Sequence, residues 1–235
     1  MIMSGNMSSS RSSSSSEATR RRLLDAGLEA FGERGFDAVS TRDLAEKAGA
    51  NQAAIPYHFG GKEGLYIAVV EDLVVTVQRS VGTTAKSIQE RLAKGPITLE
   101  QGESLIVELV GKMVGFLVGA GQAQLRAAFV IRELMHPSAA FDLLYQGYME
   151  QVHATITRLV AALLEDDPKS TASILRAHAL LGQIVMFGAG RELIRRRAGW
   201  GDVTEEHLQQ ITSAVTETFL ASIRGMRAER GMPPA

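Results

Sequence analysis

Residues 41–60 read TRDLAEKAGANQAAIPYHFG, and this stretch decides the fold of the first part of the chain. Ala45 is small enough to let a second helix cross close to the first, and Gly49, four residues later, tolerates the positive φ of a tight turn. Ile55, six residues further on, is the apolar residue expected beneath the first helix. The spacing therefore predicts a helix-turn-helix.

Polar residues indicate where the two helices of this motif begin. Ser40 and Asp43 form a capping-box pattern, which predicts a helix starting near Thr41. Asn51 is expected to cap the second, short helix, which runs through Phe59.

The segments on either side of the motif also have helical periodicity. Leu24, Leu28 and Phe31 lie on one face of a helix that is predicted to span about Glu17–Arg34. A fourth helix is predicted to start near Lys62 and to run past the motif.

The rest of the chain repeats apolar residues at spacings of three and four. The segments predicted to be helical are 100–118, 125–136, 144–163, 174–197 and 205–227. We therefore predict an all-α fold of about nine helices. Its expected parts are a disordered Ser-rich leader (1–16), a helix-turn-helix domain (17–66) and a C-terminal domain (67–235), which is assigned effector binding and dimerisation below.

Composition narrows the function classes. The 235 residues contain no cysteine and carry a formal net charge of −1, so thiolate chemistry is excluded and a polybasic surface is absent. There is no Gly-rich phosphate loop after a strand, and the histidines are widely spaced. We expect no enzyme activity, no metal and no cofactor. The longest uncharged apolar run, Ala177–Gly190, predicts a core helix and no membrane span, so a cytoplasmic location is expected.

Three pieces of the N-terminal region resemble one family. The stretch from Thr41 to Gly49, then Tyr57-His58-Phe59, then Lys62-Glu63-Gly64-Leu65, is similar to the DNA-binding domain of TetR-type transcriptional regulators. The pieces at 131–138 and 191–200 (RELIRRRAGW) resemble the CecR-like branch of that family. The resemblance implies a regulator, most commonly a repressor, that binds a palindromic DNA operator as a homodimer and is released by a small-molecule effector.

The same resemblance implies which residues meet DNA. Gln52, Ala53 and Ala54 would face bases in the major groove, while Thr41 and Arg42 would meet phosphate. The full set expected at the DNA is Thr41, Arg42, Asn51, Gln52, Ala53, Ala54, Pro56, Tyr57, His58 and Lys62.

Two features of this segment depart from a simple DNA-binding pattern. The family usually has a non-proline residue where this chain has Pro56, which is expected to remove a helix hydrogen bond. Residues 17–66 also contain seven basic and eight acidic residues, so DNA binding requires the basic residues to share one side. The run Arg20–Arg22 is open to two interpretations, a solvated helix start or a phosphate contact.

The resemblance implies an effector pocket and a dimer interface in the C-terminal domain. Polar groups among apolar helix faces are the pocket candidates, although each could be structural; they include Arg126, His153 and Arg191. The residues selected as effector contacts are Phe116, Phe129, Arg132, Glu133, Tyr148, His178, Met186 and Phe187. Dimerisation is assigned to the last two predicted helices, whose apolar residues, such as Leu208 and Phe219, are either interface or core.

An alternative function remains open at this point. The chain could be a helical adaptor or small-molecule-binding protein whose helix-turn-helix has lost its affinity for DNA. Pro56 and the acidic balance of residues 17–66 are the features that favour this alternative.

Overall fold

The computed structural model describes residues 8–233, and every regular element in that range is helical, which confirms the all-α prediction. The α-helical segments in chain order are α1 (Ser8–Arg34), α2 (Thr41–Lys47), α3 (Ala54–Phe59), α4 (Lys62–Val77), α5 (Thr83–Ala93), α6 (Leu99–Leu117), α7 (Gln122–Met135), α8 (Phe141–Leu144), α9 (Glu150–Leu164), α10 (Thr171–Ala189), α11 (Arg191–Ala198) and α12 (Glu205–Glu229).

Two single π-helical turns join neighbouring segments. We name them the first π turn, Gln78–Gly82, between α4 and α5, and the second π turn, Tyr145–Met149, between α8 and α9. With these joins the twelve segments of the described range make ten continuous helices, close to the nine predicted. π turns of this kind occur frequently at functional sites.

The chain divides after Leu73, inside α4, into two compact units. The first unit contains α1–α3 and most of α4. Its core consists of fully buried apolar side chains, among them Leu23, Leu44 and Ile55. The ring of Tyr66 meets the ring of Phe31 edge-on, with centroids 4.9 Å apart. These contacts hold the helix-turn-helix against α1.

The start of α1 differs from the sequence prediction. Disorder was expected through Ser16 and a helix from about Glu17, but α1 begins at Ser8. Because extending an existing helix adds one hydrogen bond per residue, a helix can continue through residues of low propensity. Residues 1–7 of the predicted leader lie outside the described residues.

The second unit, from Val74, contains the end of α4, both π turns and α5–α12. Its central helix is α9, which packs against α5, α6, α10 and α12. The apolar stripe of α12, including Ile211, Val215 and Phe219, is buried against this packing. Ile211, Val215 and Phe219 are therefore core residues, whereas Leu208 is only half-buried and its role stays open.

The predicted helix 174–197 is in fact two helices. α10 ends at Ala189, and α11 begins at Arg191 after Gly190. Among the described residues, α10 has the length and composition that a membrane span would need, with a mean hydropathy of 1.3, although the sequence predicted none. Only 22% of this stretch is buried inside the unit, at positions such as Ala177 and Ile184, so the prediction of a buried core helix holds for one face of α10 only.

Candidate nucleic-acid interface and C-terminal cavity

The helix-turn-helix forms as its sequence pattern predicts. The Ser40 hydroxyl accepts a hydrogen bond from the Asp43 amide, and the Asp43 carboxylate accepts one from the Ser40 amide. Hydrogen bonding to the carboxylate, first from the Ser40 backbone and second from the Ser40 side chain, lowers the pKa of Asp43 below its usual range. Gly49 has a φ of +56°, and Ile55 is fully buried. The capping hydrogen bonds, the turn at Gly49 and the buried Ile55 therefore hold the motif together, and the outer side of α3 is left free.

The outer side of α3 and the turn before it carry the residues predicted to specify bases. Gln52 and Ala53 are exposed, and 79% of the Tyr57 surface is exposed. The Gln52 amide nitrogen donates to the Thr41 hydroxyl at 3.0 Å, which ties the start of α2 to the turn before α3. The His58 ring meets the Tyr57 ring edge-on at 4.9 Å. An amide, a phenol and an imidazole therefore lie along one short surface.

Two predictions about α3 need correction. Asn51 does not cap α3, because the helix begins at Ala54; the Asn51 carboxamide oxygen instead accepts from the Ala53 amide, within the preceding turn. Pro56 is therefore the third residue of α3. The first four amides of a helix have no partner within it, so the proline removes no helical hydrogen bond. Pro56, which favoured a helix-turn-helix without affinity for DNA, therefore does not weaken α3.

The basic residues of the first unit separate into paired and unpaired sets. Arg21 donates to both Asp25 and Asp72, and these contacts, led by Asp25, raise its pKa. Lys47 pairs with Glu29 at 2.6 Å. Within the described residues, by contrast, no carboxylate lies within salt-bridge distance of Arg42. The Lys62 ammonium lies 4.2 Å from the centroid of the Phe36 ring.

This separation does not remove the acidic excess of the segment, because each internal pair takes up one acidic and one basic residue. It does show that several acidic residues are held in internal pairs, including Asp43, whose carboxylate lies 3.5 Å from the Arg34 guanidinium. Arg42 keeps its charge at the start of α2, beside Thr41. Unpaired cations next to amide and phenol groups form a surface that suits phosphates and base edges. Arg21 is occupied elsewhere, so the run Arg20–Arg22 does not act as one basic patch.

The second unit contains an apolar cavity of about 370 Å³. Its walls come from the end of α4, the first π turn, α6, α7, the second π turn, α9 and α10. Val77 and Val81 bring the connecting helix into the wall, and Val130 and Leu134 lie one turn apart on α7. This size and lining are typical of small-molecule sites.

Three polar side chains line the cavity: Tyr148, His153 and His178. Burial raises the pKa of the Tyr148 phenol, which stays neutral. The rings of His153 and His178 face each other with centroids 5.7 Å apart. Burial and, to a smaller extent, the nearby His178 lower the pKa of His153. The Tyr148 phenol and the His153 ring are therefore uncharged near neutral pH.

The structure brings together three of the eight residues selected as effector contacts. Phe116, Tyr148 and His178 line the cavity. Five lie elsewhere: Phe129, Arg132, Glu133, Met186 and Phe187.

Each of these five faces away for a definite reason. Phe129 is buried in the core one position away from the lining residue Val130, and Arg132 also lies off the Val130–Leu134 stripe. The Glu133 carboxylate accepts from the amide and hydroxyl of Ser138 and so closes the loop after α7.

The lining stripe of α10 accounts for the remaining two. It runs over His178, Leu181, Gly182 and Val185, and the next turn is not part of it. Met186 is 57% exposed to solvent. Phe187 is half-buried outside the stripe.

The motif at 191–200 has a structural role. The Arg191 guanidinium, only 11% exposed, donates to the carbonyls of Val118 and Gly119 at 2.6 and 2.8 Å and caps the C-terminal end of α6. Trp200 stacks on His207 with ring centroids 4.1 Å apart. Arg191 was a pocket candidate, and this cap explains its burial instead.

Sequence reasoning missed most of the apolar lining, notably Val77, Val81, Met113 and Met149. The two π turns set which way these side chains point, and periodicity at 3.6 residues per turn does not reveal a π turn. His153 was among the broader candidates but not among those selected. In residues 8–233 no group of three His, Asp or Glu side chains could hold a metal ion.

Comparison with protein families gives two matches. The family described as "Bacterial regulatory proteins, tetR family" matches residues 23–69. The family described as "HTH-type transcriptional dual regulator CecR, C-terminal domain" matches residues 103–226. Together they cover the helix-turn-helix and most of the second unit.

Individual relatives agree with these matches. The HTH-type transcriptional dual regulator CecR of Shigella flexneri is 34% identical over 200 residues, which is 85% of this chain and 89% of that protein. The HTH-type transcriptional regulator BetI of Brucella canis is 32% identical over 77 residues, which is 32% of this chain and 39% of BetI.

Solved structures share the fold at low identity. AibR in complex with isovaleryl coenzyme A and operator DNA has a TM-score of 0.60 at 12% identity, covering 86% of this chain and 98% of AibR. PfmR, a TetR family transcriptional regulator from Thermus thermophilus, has a TM-score of 0.59 at 14% identity, covering 86% of this chain and 95% of PfmR.

Proposed function

The chain belongs to the TetR family and has a C-terminal domain of the CecR type, and on this basis we propose that it is a repressor that binds a two-fold symmetric operator as a homodimer and is released by a small molecule. The family consists of DNA-binding transcriptional regulators and not of enzymes. A regulator of this kind works in the cytoplasm, where its DNA is. The observation that carries the proposal is the exposed surface formed by Gln52, in the turn before α3, and Tyr57, on α3.

The expected contacts follow from the chemistry of that face. Gln52 can pair with an adenine edge through its amide, and Ala53 can meet a thymine methyl group. Thr41 and Arg42 open α2, where the helix dipole and the unpaired guanidinium both favour a phosphate. His58 and Lys62 follow along the same stretch of chain. With two small alanines at the base-facing positions, DNA shape contributes to the choice of operator.

A homodimer is supported by the exposed face of α10. Ile174, Leu175 and Met186 are 43%, 62% and 57% exposed, which is unusual for large apolar side chains. A second copy of the chain is the occupant that suits a two-fold operator, because two recognition helices must enter successive major grooves about 34 Å apart. The α12 stripe is core, so the proposed interface rests mainly on α10.

Control by a ligand is supported by the position of the cavity. Val77 at the end of α4 and Val81 in the first π turn both line it. α4 is the helix that continues back to Lys62 and the helix-turn-helix. His178 and Gly182 line the cavity on the exposed side of α10, so a bound ligand also lies beside the proposed dimer surface. A ligand that prefers one of two arrangements about 100-fold contributes about 2.7 kcal/mol to the shift between them.

The DNA-binding part is tested by gel retardation on the DNA upstream of the protein's own gene. We expect a retarded band at low salt whose affinity falls steeply as salt rises. Arg42→Ala should reduce the slope of log K against log salt by about 0.9 for each phosphate that the arginine neutralises. Arg21→Ala serves as the matched control, because its guanidinium is held by Asp25 and Asp72. The adaptor alternative is favoured if no DNA is retarded at low salt.

The dimer is tested by sedimentation of Leu175→Glu. A buried charge in the interface should convert the protein to a monomer and abolish operator binding. Leu143→Glu is the control, because Leu143 is also partly exposed, at 41%, and lies on α8, which packs against the second π turn. A Leu175→Glu protein that remains dimeric would remove α10 from the interface.

A further inference from the structure

The phenol of Tyr148 is a buried polar group whose unpaired hydroxyl the fold does not explain. Its side chain is buried to all but 7%, lines the cavity, and finds no hydrogen-bond partner among the described residues. An unpaired buried hydroxyl costs about 1–3 kcal/mol. Such a cost is commonly retained where the group serves a ligand.

The protonation state of Tyr148 defines what it can offer. Burial raises the pKa of this phenol above its ordinary value of 10, so it remains an O–H donor at all physiological pH values. Its ring meets that of Phe116 at an angle of 65°, with centroids 6.4 Å apart. The phenol is therefore held beside an aromatic ring in the wall of the cavity, with its hydroxyl oxygen buried.

His153 offers the opposite group. The Thr157 hydroxyl donates to the His153 carbonyl at 2.8 Å and also lies 3.3 Å from Nδ1 of the ring. In either tautomer the neutral imidazole keeps one unprotonated nitrogen, which acts as an acceptor. The cavity thus combines a neutral donor with a neutral acceptor.

Charged ligands are disfavoured by the rest of the wall. The other lining residues are apolar, apart from His178, and no carboxylate, lysine or arginine is among them. A buried ion without a partner is strongly destabilised in such surroundings. We propose that the cavity binds an uncharged, mainly apolar molecule that carries a hydrogen-bond acceptor, such as a carbonyl, and that Tyr148 selects for this acceptor.

This inference rests on the proposed function only where the bound molecule is called an effector; binding to the cavity itself does not depend on it. Its test therefore uses the full-length protein without DNA and measures binding by calorimetry. The probes are three naphthalenes of similar size: 2-acetylnaphthalene, which is neutral with a carbonyl; 2-isopropylnaphthalene, which is a hydrocarbon; and 2-naphthoate, which is an anion. We expect the acetyl compound to bind about fivefold to tenfold more tightly than the hydrocarbon, and the anion most weakly.

Tyr148→Phe isolates the proposed hydrogen bond. The variant should bind both neutral probes equally and should unfold at the same or a higher temperature, because it deletes an unpaired hydroxyl. Tyr145→Phe is the matched control on the same π turn, since Tyr145 is 45% exposed and outside the cavity lining. It should keep the preference for the acetyl compound.

Three results would overturn the inference: the anion binds most tightly, Tyr148→Phe keeps the preference for the acetyl compound, or none of the probes binds. Failure of DNA retardation would leave these measurements unaffected, so the two proposals can fail separately.

Discussion

The helix-turn-helix and the C-terminal cavity differ in how far apart in sequence their residues lie. The first site is built within 22 residues, from Thr41 to Lys62, and its side chains point outward from short helices. The second site is assembled from segments between Val77 and Val185, and its side chains point inward. Local spacing therefore determines the first site, whereas the second depends on how several long helices are rotated. The predictions below test this difference.

The largest expected effect is at Gly64, in the first turn of α4. A Cβ at this position would lie 1.7 Å from the Phe59 carbonyl oxygen, which is backbone and cannot turn aside. Gly64→Ala should therefore displace α3 from α4, cost about 3 kcal/mol and abolish DNA retardation. The helical content and probe binding of the second unit should persist. Both are measured by circular dichroism and calorimetry.

Gly225→Ala is the matched control for this substitution. A Cβ on Gly225, in α12, would meet nothing within 4 Å. The change should stabilise α12 by about 0.5–1 kcal/mol, because alanine loses less conformational entropy in a helix. Loss of the C-terminal cavity in Gly64→Ala would contradict the independence of the two sites.

The next effect concerns the outer face of α3. Gln52→Ala and Tyr57→Ala should each weaken operator binding by about 1–3 kcal/mol, the range for a base-reading contact. Tyr57→Ala should not lower the unfolding temperature, because the side chain is exposed, and Gln52→Ala should lower it only slightly, because the hydrogen bond that it loses, to Thr41, is itself exposed. Glu46→Ala, exposed on α2, is the control and should not weaken retardation. Wild-type affinity in both α3 variants would mean that another surface reads the DNA.

The sequence predicted the helix-turn-helix well because its determinants are local. The crossing residue Ala45, the turn at Gly49 and the pinned Ile55 all occupy the expected positions. Asn51 was assigned the wrong role, because an Asx turn and an N-cap use the same side chain. DNA contacts themselves stay predictions, since they depend on a partner.

The cavity was predicted less well because helix rotation is a tertiary property. A π turn inserts one extra residue into a helix and rotates every later side chain by about 100° relative to a regular helix. Tyr148 lies within such a turn, and Val81 within the other. Glu133 and Arg191 resembled ligand contacts in sequence, but loop closure and helix capping account for both.

The third prediction tests whether the hydrogen bonds between the two π turns shape the cavity. The Gln78 amide, in the first π turn, donates to the Gly147 carbonyl of the second and to Gln151. Gln78→Ala should cost about 1–2 kcal/mol, because two acceptors lose their donor. It should also weaken binding of 2-acetylnaphthalene, since the π turns that carry Val81 and Tyr148 lose their link.

Gln89→Ala is the matched control for this link. Gln89 of α5 donates to the Thr155 hydroxyl of α9 at 2.7 Å, but neither residue lines the cavity. We expect a similar loss of stability, measured by urea unfolding, with unchanged probe affinity. Equal probe affinity in both variants would show that the link between the π turns does not shape the cavity.

The smallest expected effect is the response of the second unit to acid. Burial, assisted by His178, lowers the pKa of His153 below its ordinary value of 6.5. Below about pH 6.5 the unfolded chain therefore binds a proton that the folded protein resists, so stability falls as the pH falls towards the folded pKa. Above about pH 6.5 this histidine contributes no pH dependence.

Urea unfolding at about pH 7.5 and about pH 5.5 measures this response. His153→Gln should reduce the loss of stability on acidification, by less than the ~1.4 kcal/mol per pH unit that one proton allows, because the ring is only partly buried. His136→Gln, at an exposed position, should leave the loss unchanged. An unaltered acid response in His153→Gln would mean that His153 takes up its proton as easily in the folded protein as in the unfolded chain, and the cavity would then be more polar at its histidine end than its lining indicates.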